Sequence, residues 1–211
     1  MNSFLTADTA LFLLRGLGIT LVIASCTIVL SFVFGSVLGI ARYGGKGPAA
    51  KVSALYIDTV RNIPLLLFII GFRFTLPLPP VVSAVTAMTV FTSAMVAEIV
   101  RGGLNGIPHG QWEAAYSQGF SYVGTLVYVV LPQAVRKIRK PLMGQFVTAI
   151  KDTSFCSVIA VKELMYSGTI IMGKYVKSVQ VIALYAVIAL VYFLVNMLLL
   201  ALSKKMIKER E

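Results

Sequence analysis

Five apolar runs, each about 20 residues long, restrict this chain more than any other feature, because that length of helix is what crosses the hydrocarbon of a bilayer. Inside lipid no water pairs with a free backbone amide or carbonyl, so a spanning segment must close its own hydrogen bonds as a helix. The runs lie at 17–41, 52–71, 80–100, 141–161 and 179–202, and each is expected to be one continuous helix. Of all residues 58% are hydrophobic and 13% charged, with a mean hydropathy of +0.88, which leaves too little polar surface for a soluble domain. The expectation is an all-α integral membrane protein with a single transmembrane domain over 1–211. Residues 1–14 hold no basic segment and no small-residue cleavage site ends the first run, so that span is expected to be retained.

The connection 101–140 has a different character. Gly103, Gly106, Pro108, Gly110, Gly119 and Pro132 punctuate it, and it closes on Arg136, Lys137, Arg139 and Lys140, so it is expected outside the bilayer. Residues 111–118 suit two turns of helix, with Glu113 in the first turn, where a negative charge favours the helix dipole. Gly119 should stop that helix. The apolar stretch 122–130 is too short to span and reads as a second short helix ending at Leu131 and Pro132, so that the connection forms a knob at the membrane surface.

The order Glu113, Ala114, Ala115, three residues, Gly119 and an apolar stretch closing on Leu131 and Pro132 resembles the EAA loop of the membrane-spanning subunits of ABC importers. The longer runs IPHGQWEAAYSQG, YVVLPQAVR and KDTSF are similar to the branch that imports polar amino acids. This resemblance extends from RGLGIT at Arg15 through the fifth span. It implies a type I ABC importer fold with about five transmembrane helices, in which Glu113, Ala114, Ala115 and Gly119 mark a coupling helix seated in a cytoplasmic ATPase. It further implies an ATPase dimer holding ATP and Mg, a second permease subunit, identical or paralogous, an extracytoplasmic solute-binding protein, and a polar amino acid as cargo, at the plasma membrane of a prokaryote. RNIPLLLF is similar to the family's Arg-x-x-Pro-Leu-Leu segment but has Phe68 where Gln is frequent.

The net charge of +11 raises the question of a nucleic-acid partner, but the basic residues are spread between apolar runs rather than gathered on one face, so none is expected. One set of connections holds twelve of them: Arg42, Lys46, Lys51, Arg101, Arg136, Lys137, Arg139, Lys140, Lys204, Lys205, Lys208 and Arg210. The opposite set holds five: Arg15, Arg73, Lys162, Lys174 and Lys177. That excess puts the C-terminus and the 101–140 connection in the cytoplasm and the N-terminus outside. The basic cluster at 136–140 then meets the membrane lipids of the cytoplasmic leaflet.

Ionisable residues within spans are costly unless paired or facing a cavity. Asp58 and Arg61 are three apart on one helix face and either neutralise each other or serve a pathway. Glu98 and Arg101 repeat the spacing near a span end and read as an interfacial pair, while Thr92 and Ser93 offer hydroxyls to a neighbouring helix or a substrate. Lys151 and Asp152 are adjacent and so point about 100° apart on a helix, unable to satisfy each other fully. With Thr153 and Ser154 they offer an amino acid both charges and hydrogen bonds, and the resemblance points to the same segment. Gly35 and Gly39 permit close helix packing. His109 and Trp112 read as packing or docking residues, and Cys26 and Cys156 as packing residues.

No Walker-type glycine loop occurs, nor a Ser and His pair or an acidic cluster suited to a metal, so the chain is expected to be a translocation subunit without catalytic residues, metal or cofactor of its own. The competing classes are a self-sufficient secondary carrier and a membrane-embedded enzyme acting through Asp152 or Glu98.

Overall fold

Thr6 opens the first helix: its Oγ1 accepts the Thr9 amide at 3.2 Å, Asp8 stands in the first turn and Arg42 in the last, so both ends carry the charge that suits the dipole. This is α1, Ala7–Tyr43, in the computed structural model of the chain, which describes residues 6–45, 47–174 and 178–208. The helix starts well before residue 17 because this cap, not the onset of the apolar run, sets its beginning.

The second span is not one continuous helix: it breaks at Pro64, which the sequence marks as able to bend or unwind the span because it removes a backbone donor. α2, Pro48–Arg61, stops at Asn62, and α3, Leu65–Thr75, begins after Pro64. Proline has no amide hydrogen and disfavours helical geometry in the residue before it, while Asn62 Nδ2 donates to the Asp58 carbonyl at 2.6 Å. α4, Pro80–Asn105, and α5, His109–Ser117, follow.

A second correction concerns 122–152. α6, Tyr122–Thr125, opens on Ser121, whose Oγ accepts the Gly124 amide at 3.2 Å, and leads through a π-helical turn, Leu126–Val130, into α7, Leu131–Asp152. One helical course therefore runs through Pro132 and Pro141; no short helix ends at Leu131, and no span begins at Pro141. The π turn rearranges the bonding just before Pro132, where a proline's absent amide does least harm. A 3₁₀ segment, Thr153–Ile159, ends at Ala160 in the left-handed conformation (φ 59°), and α8, Leu164–Met172, and α9, Ser178–Lys208, complete the chain.

α1, α4 and α9 are each long and apolar enough to cross a membrane. There are five spans if α2 with α3, and 122–159 with α8 (a 48° bend), each count as one. Among the described residues all regular structure is helical.

The chain divides into two compact units. One comprises Met1–Ile28, Pro64–Met88 and Phe146–Glu211 and is centred on Leu13, Leu164, Ile171, Leu184 and Ile188. Cys156 is buried there, its Sγ 3.6 Å from Met88 Sδ, as a packing residue should be. Cys26, by contrast, is exposed: it follows Val22 by one helical turn on the outward face of α1. The other unit comprises Val29–Ile63 and Thr89–Gln145. In it Gly35 and Gly39 bring α1 against α4: a Cβ on Gly35 would stand 2.7 Å from the Ser93 carbonyl oxygen, and one on Gly39 2.5 Å from that of Ala97. The small-residue pattern is used for packing within the chain.

Candidate functional site

α5 is built around the Trp112 side chain. Trp112 is buried, and its ring stacks on Tyr122 (5.3 Å between centroids, 23° between planes) and on Tyr43 of α1 (6.3 Å, 27°), with Tyr116 tilted against it at 6.1 Å. Ala115 is buried on the same side, while Glu113 and Ala114 are exposed. Gln133 Nε2 of α7 adds a bond to Gln111 Oε1 at 2.9 Å. The helix stops as the sequence suggests: Gly119 has φ 83°, its amide donates to the Tyr116 carbonyl at 2.9 Å, and the Phe120 amide donates to that of Ala115 at 3.1 Å. One detail differs. The helix starts at His109, directly after Pro108, so Glu113 lies beyond the first turn and the expected dipole contribution is not realised. His109 is exposed at the start of the helix, and Trp112 serves in packing.

Beside Tyr43, Arg42 begins a network of ion pairs. Arg42 reaches Asp58 of α2 with two bonds, Nη1 to Oδ1 at 2.9 Å and Nη2 to Oδ2 at 3.2 Å, and stands 3.5 Å from Glu98 Oε2 of α4. Arg61 Nη1 is 3.8 Å from the same oxygen. Arg101 grips Glu98 through Nε at 3.0 Å and through Nη2. The Glu98–Arg101 pair is thus present, whereas of the two roles open to Asp58 and Arg61 mutual pairing is not the one adopted: Asp58 pairs with Arg42 and Arg61 with Glu98. A guanidinium fork from another helix can take both carboxylate oxygens of Asp58, which a neighbour on the same helix does less well. With these side chains 20–57% exposed, each link contributes about 1 kcal/mol or less. Their value is in linking α1, α2 and α4.

The segment 151–154 is divided by the transition from α7 to the 3₁₀ turn. Lys151 and Ser154 line a cleft of about 660 Å³ together with Val147, Met165 of α8, and Tyr185, Ile188, Ala189, Tyr192, Phe193 and Asn196 of α9. Thr153 is buried and its Oγ1 donates to the Ile150 carbonyl at 2.8 Å, so its hydroxyl is occupied in ending the helix. Asp152 is half-buried. Thr92 and Ser93 are buried in α4 and, with Arg61, belong to the other unit; Ser93 Oγ has no hydrogen-bond partner among the described residues.

Sequence reasoning missed Glu163. It is fully buried, caps α8 by accepting the amides of Met165 (2.8 Å) and Tyr166 (2.6 Å), and receives Tyr192 Oη at 3.0 Å and Thr20 Oγ1 at 3.5 Å. Thr20 Oγ1 in turn accepts the Leu164 amide at 3.1 Å. The available signal was Thr20 and Tyr192, polar groups inside apolar runs that need partners. Among the described residues no cluster of His, Cys, Asp and Glu could hold a metal ion.

The family described as binding-protein-dependent transport system inner membrane component matches residues 31–208. The chain is 42% identical over 190 residues to the probable glutamine ABC transporter permease protein GlnP of Bacillus subtilis (strain 168), covering 88% of this chain and 87% of that one. It is 37% identical over 180 residues to the L-cystine transport system permease protein TcyB of the same organism, with 81% and 76% covered. To the glutamine transport system permease protein GlnP of Escherichia coli (strain K12) the identity is 32% over 194 residues, with 89% and 87% covered. A solved structure of an amino acid ABC transporter with histidines is similar at a TM-score of 0.86 and 26% identity, over 96% of this chain and 95% of that one. The MetNI methionine ABC transporter, in an inward facing conformation, shares the fold at a TM-score of 0.80 and 16% identity, over 97% and 99%.

Proposed function

This chain belongs to the family of binding-protein-dependent transport system inner membrane components, and from that premise we propose how it works as the permease subunit of an ABC importer of polar amino acids. Its fold is the all-α fold of type I importer permeases, and it is a multi-pass protein of the prokaryotic plasma membrane. In our reading ATP and Mg are held by a separate ATPase dimer, a second permease subunit completes the pathway, and an extracytoplasmic solute-binding protein delivers the cargo. The C-terminus and α5 face the cytoplasm.

The observation that supports this reading is the construction of α5. One side is fixed by the Trp112 stack while Glu113 and Ala114 stand free on the other, as a part that must be pushed from outside requires. A load on the free side passes through Trp112 to Tyr43, and so to Arg42, which grips Asp58 of α2 and Glu98 of α4. Closure of the ATPases would in this way move the ends of three helices together, and hydrolysis would release them.

For the cargo, Lys151 and Ser154 on the cleft wall answer a carboxylate, and Asp152 an ammonium. Thr153 contributes through the helix end that its hydroxyl secures. Thr92, Ser93 and Arg61 are further pathway groups.

Glu113→Lys and Ala114→Trp change only the free side of α5. Both are expected to leave membrane abundance unchanged, to lower uptake at least tenfold, and to disconnect it from ATP hydrolysis. Gly119→Trp should do the same with an added backbone cost of about 1–2 kcal/mol, since position 119 is left-handed. Wild-type uptake in the first two variants would remove α5 from the coupling path.

A further inference from the structure

A carboxylate buried in a membrane protein is tolerated only when donors surround it, and an apolar side chain of similar volume often serves stability as well or better. Glu163 is fully buried, and its four donors come from three elements: Thr20 of α1, the first amides of α8, and Tyr192 of α9. Two of the residues so held, Met165 through its amide and Tyr192 through its hydroxyl, line the cleft that also contains Lys151 and Ser154. With its hydroxyl bonded to Glu163, Tyr192 offers the cleft its ring. Met165 is held where α8 begins, so the same carboxylate sets the position of both wall residues.

We infer that Glu163 is a positioning residue for the cleft: it fixes Tyr192 and Met165 in the walls shared with Lys151 and Ser154, and thereby sets how tightly substrate is held without touching it. This rests on the reading of the Lys151–Ser154 cleft as part of the substrate pathway. Three helices bonded to one carboxylate keep the cleft at one width, and a cleft held at one width discriminates between ligands better than one that relaxes around each.

The test uses the assembled transporter in lipid nanodiscs without its solute-binding protein, with radiolabelled L-glutamine as the probe. Equilibrium binding, basal ATPase rate and melting temperature are measured for Glu163→Gln, Tyr192→Phe, Asp152→Asn and Lys151→Gln. Tyr192→Phe removes one hydroxyl and keeps the ring, so it remains informative where Glu163→Gln fails to assemble. The expected result is about a tenfold weaker Kd in both Glu163→Gln and Tyr192→Phe, with a ten- to hundredfold loss in Asp152→Asn and Lys151→Gln. Wild-type Kd in Tyr192→Phe beside weakened binding in Lys151→Gln would overturn the positioning role and leave the pathway reading standing. Wild-type Kd in both Asp152→Asn and Lys151→Gln would overturn the pathway reading and the inference with it. A lowered melting temperature at wild-type Kd in Glu163→Gln and Tyr192→Phe would reduce Glu163 to a structural group.

Discussion

Ala160 is the non-glycine residue found at positive φ among the described residues, and it sits where the 3₁₀ turn ends and the chain swings toward the cap of α8. Its amide donates to the Ser157 carbonyl at 3.0 Å and the Val161 amide to that of Cys156 at 3.3 Å, a helix end of the kind glycine usually makes. Alanine there costs about 1–2 kcal/mol, and glycine returns part of that gain through its freer unfolded chain. Ala160→Gly should therefore raise stability by about 0.5 kcal/mol, read as a melting temperature about 1–2 °C higher in detergent. An unchanged or lower value would mean that the Ala160 methyl is needed for packing. Residues differ in how far the sequence discloses them. Gly119 was legible because a helix ending in left-handed geometry calls for glycine. Glu163 was not, because beside Lys162 it reads as part of a polar connection, and its partners Thr20 and Tyr192 lie far away in the chain. The sequence leaves Asp58 and Arg61 open between a mutual pair and a pathway role for a related reason: spacing along one helix identifies neighbours on that helix but not an arginine arriving from α1.

Elements were legible as far as hydropathy carries. Apolar runs disclose that a helix is present but not where it breaks, since Pro64 interrupts a span while Pro132 and Pro141 do not. The difference lies in the surroundings: Pro132 follows a π turn whose bonding is already rearranged, which hydropathy cannot show. The α1–α4 contact allows a sharper test. With 2.5 Å between a Cβ on Gly39 and the Ala97 carbonyl oxygen, Gly39→Val must push the helices apart, at a cost of about 1–3 kcal/mol, whereas Gly18→Ala meets open space. The first variant should melt several degrees lower and the second should not. Equal melting temperatures would show that α1 and α4 can separate freely.

The molecule as a whole shows why residues distant in sequence cooperate. Met1–Ile28 belongs to the same compact unit as Phe146–Glu211, a grouping no local pattern of the sequence discloses. Orientation is read from where lysine and arginine fall, and labelling tests that reading directly. A cysteine at Gly110, exposed and with open space around its Cβ position, should react with an impermeant thiol reagent only from the cytoplasmic side, and one at Pro77 only from outside, in a background lacking the exposed Cys26. Reversed labelling would invert the topology. The chain holds a single tryptophan, and it is the one at the centre of α5, enclosed by three tyrosines. Those rings are close enough to pass excitation to the indole, so the tryptophan emission of this subunit originates at the helix assigned to coupling. Paired with an ATPase free of tryptophan, the protein carries a native optical probe of its own engagement.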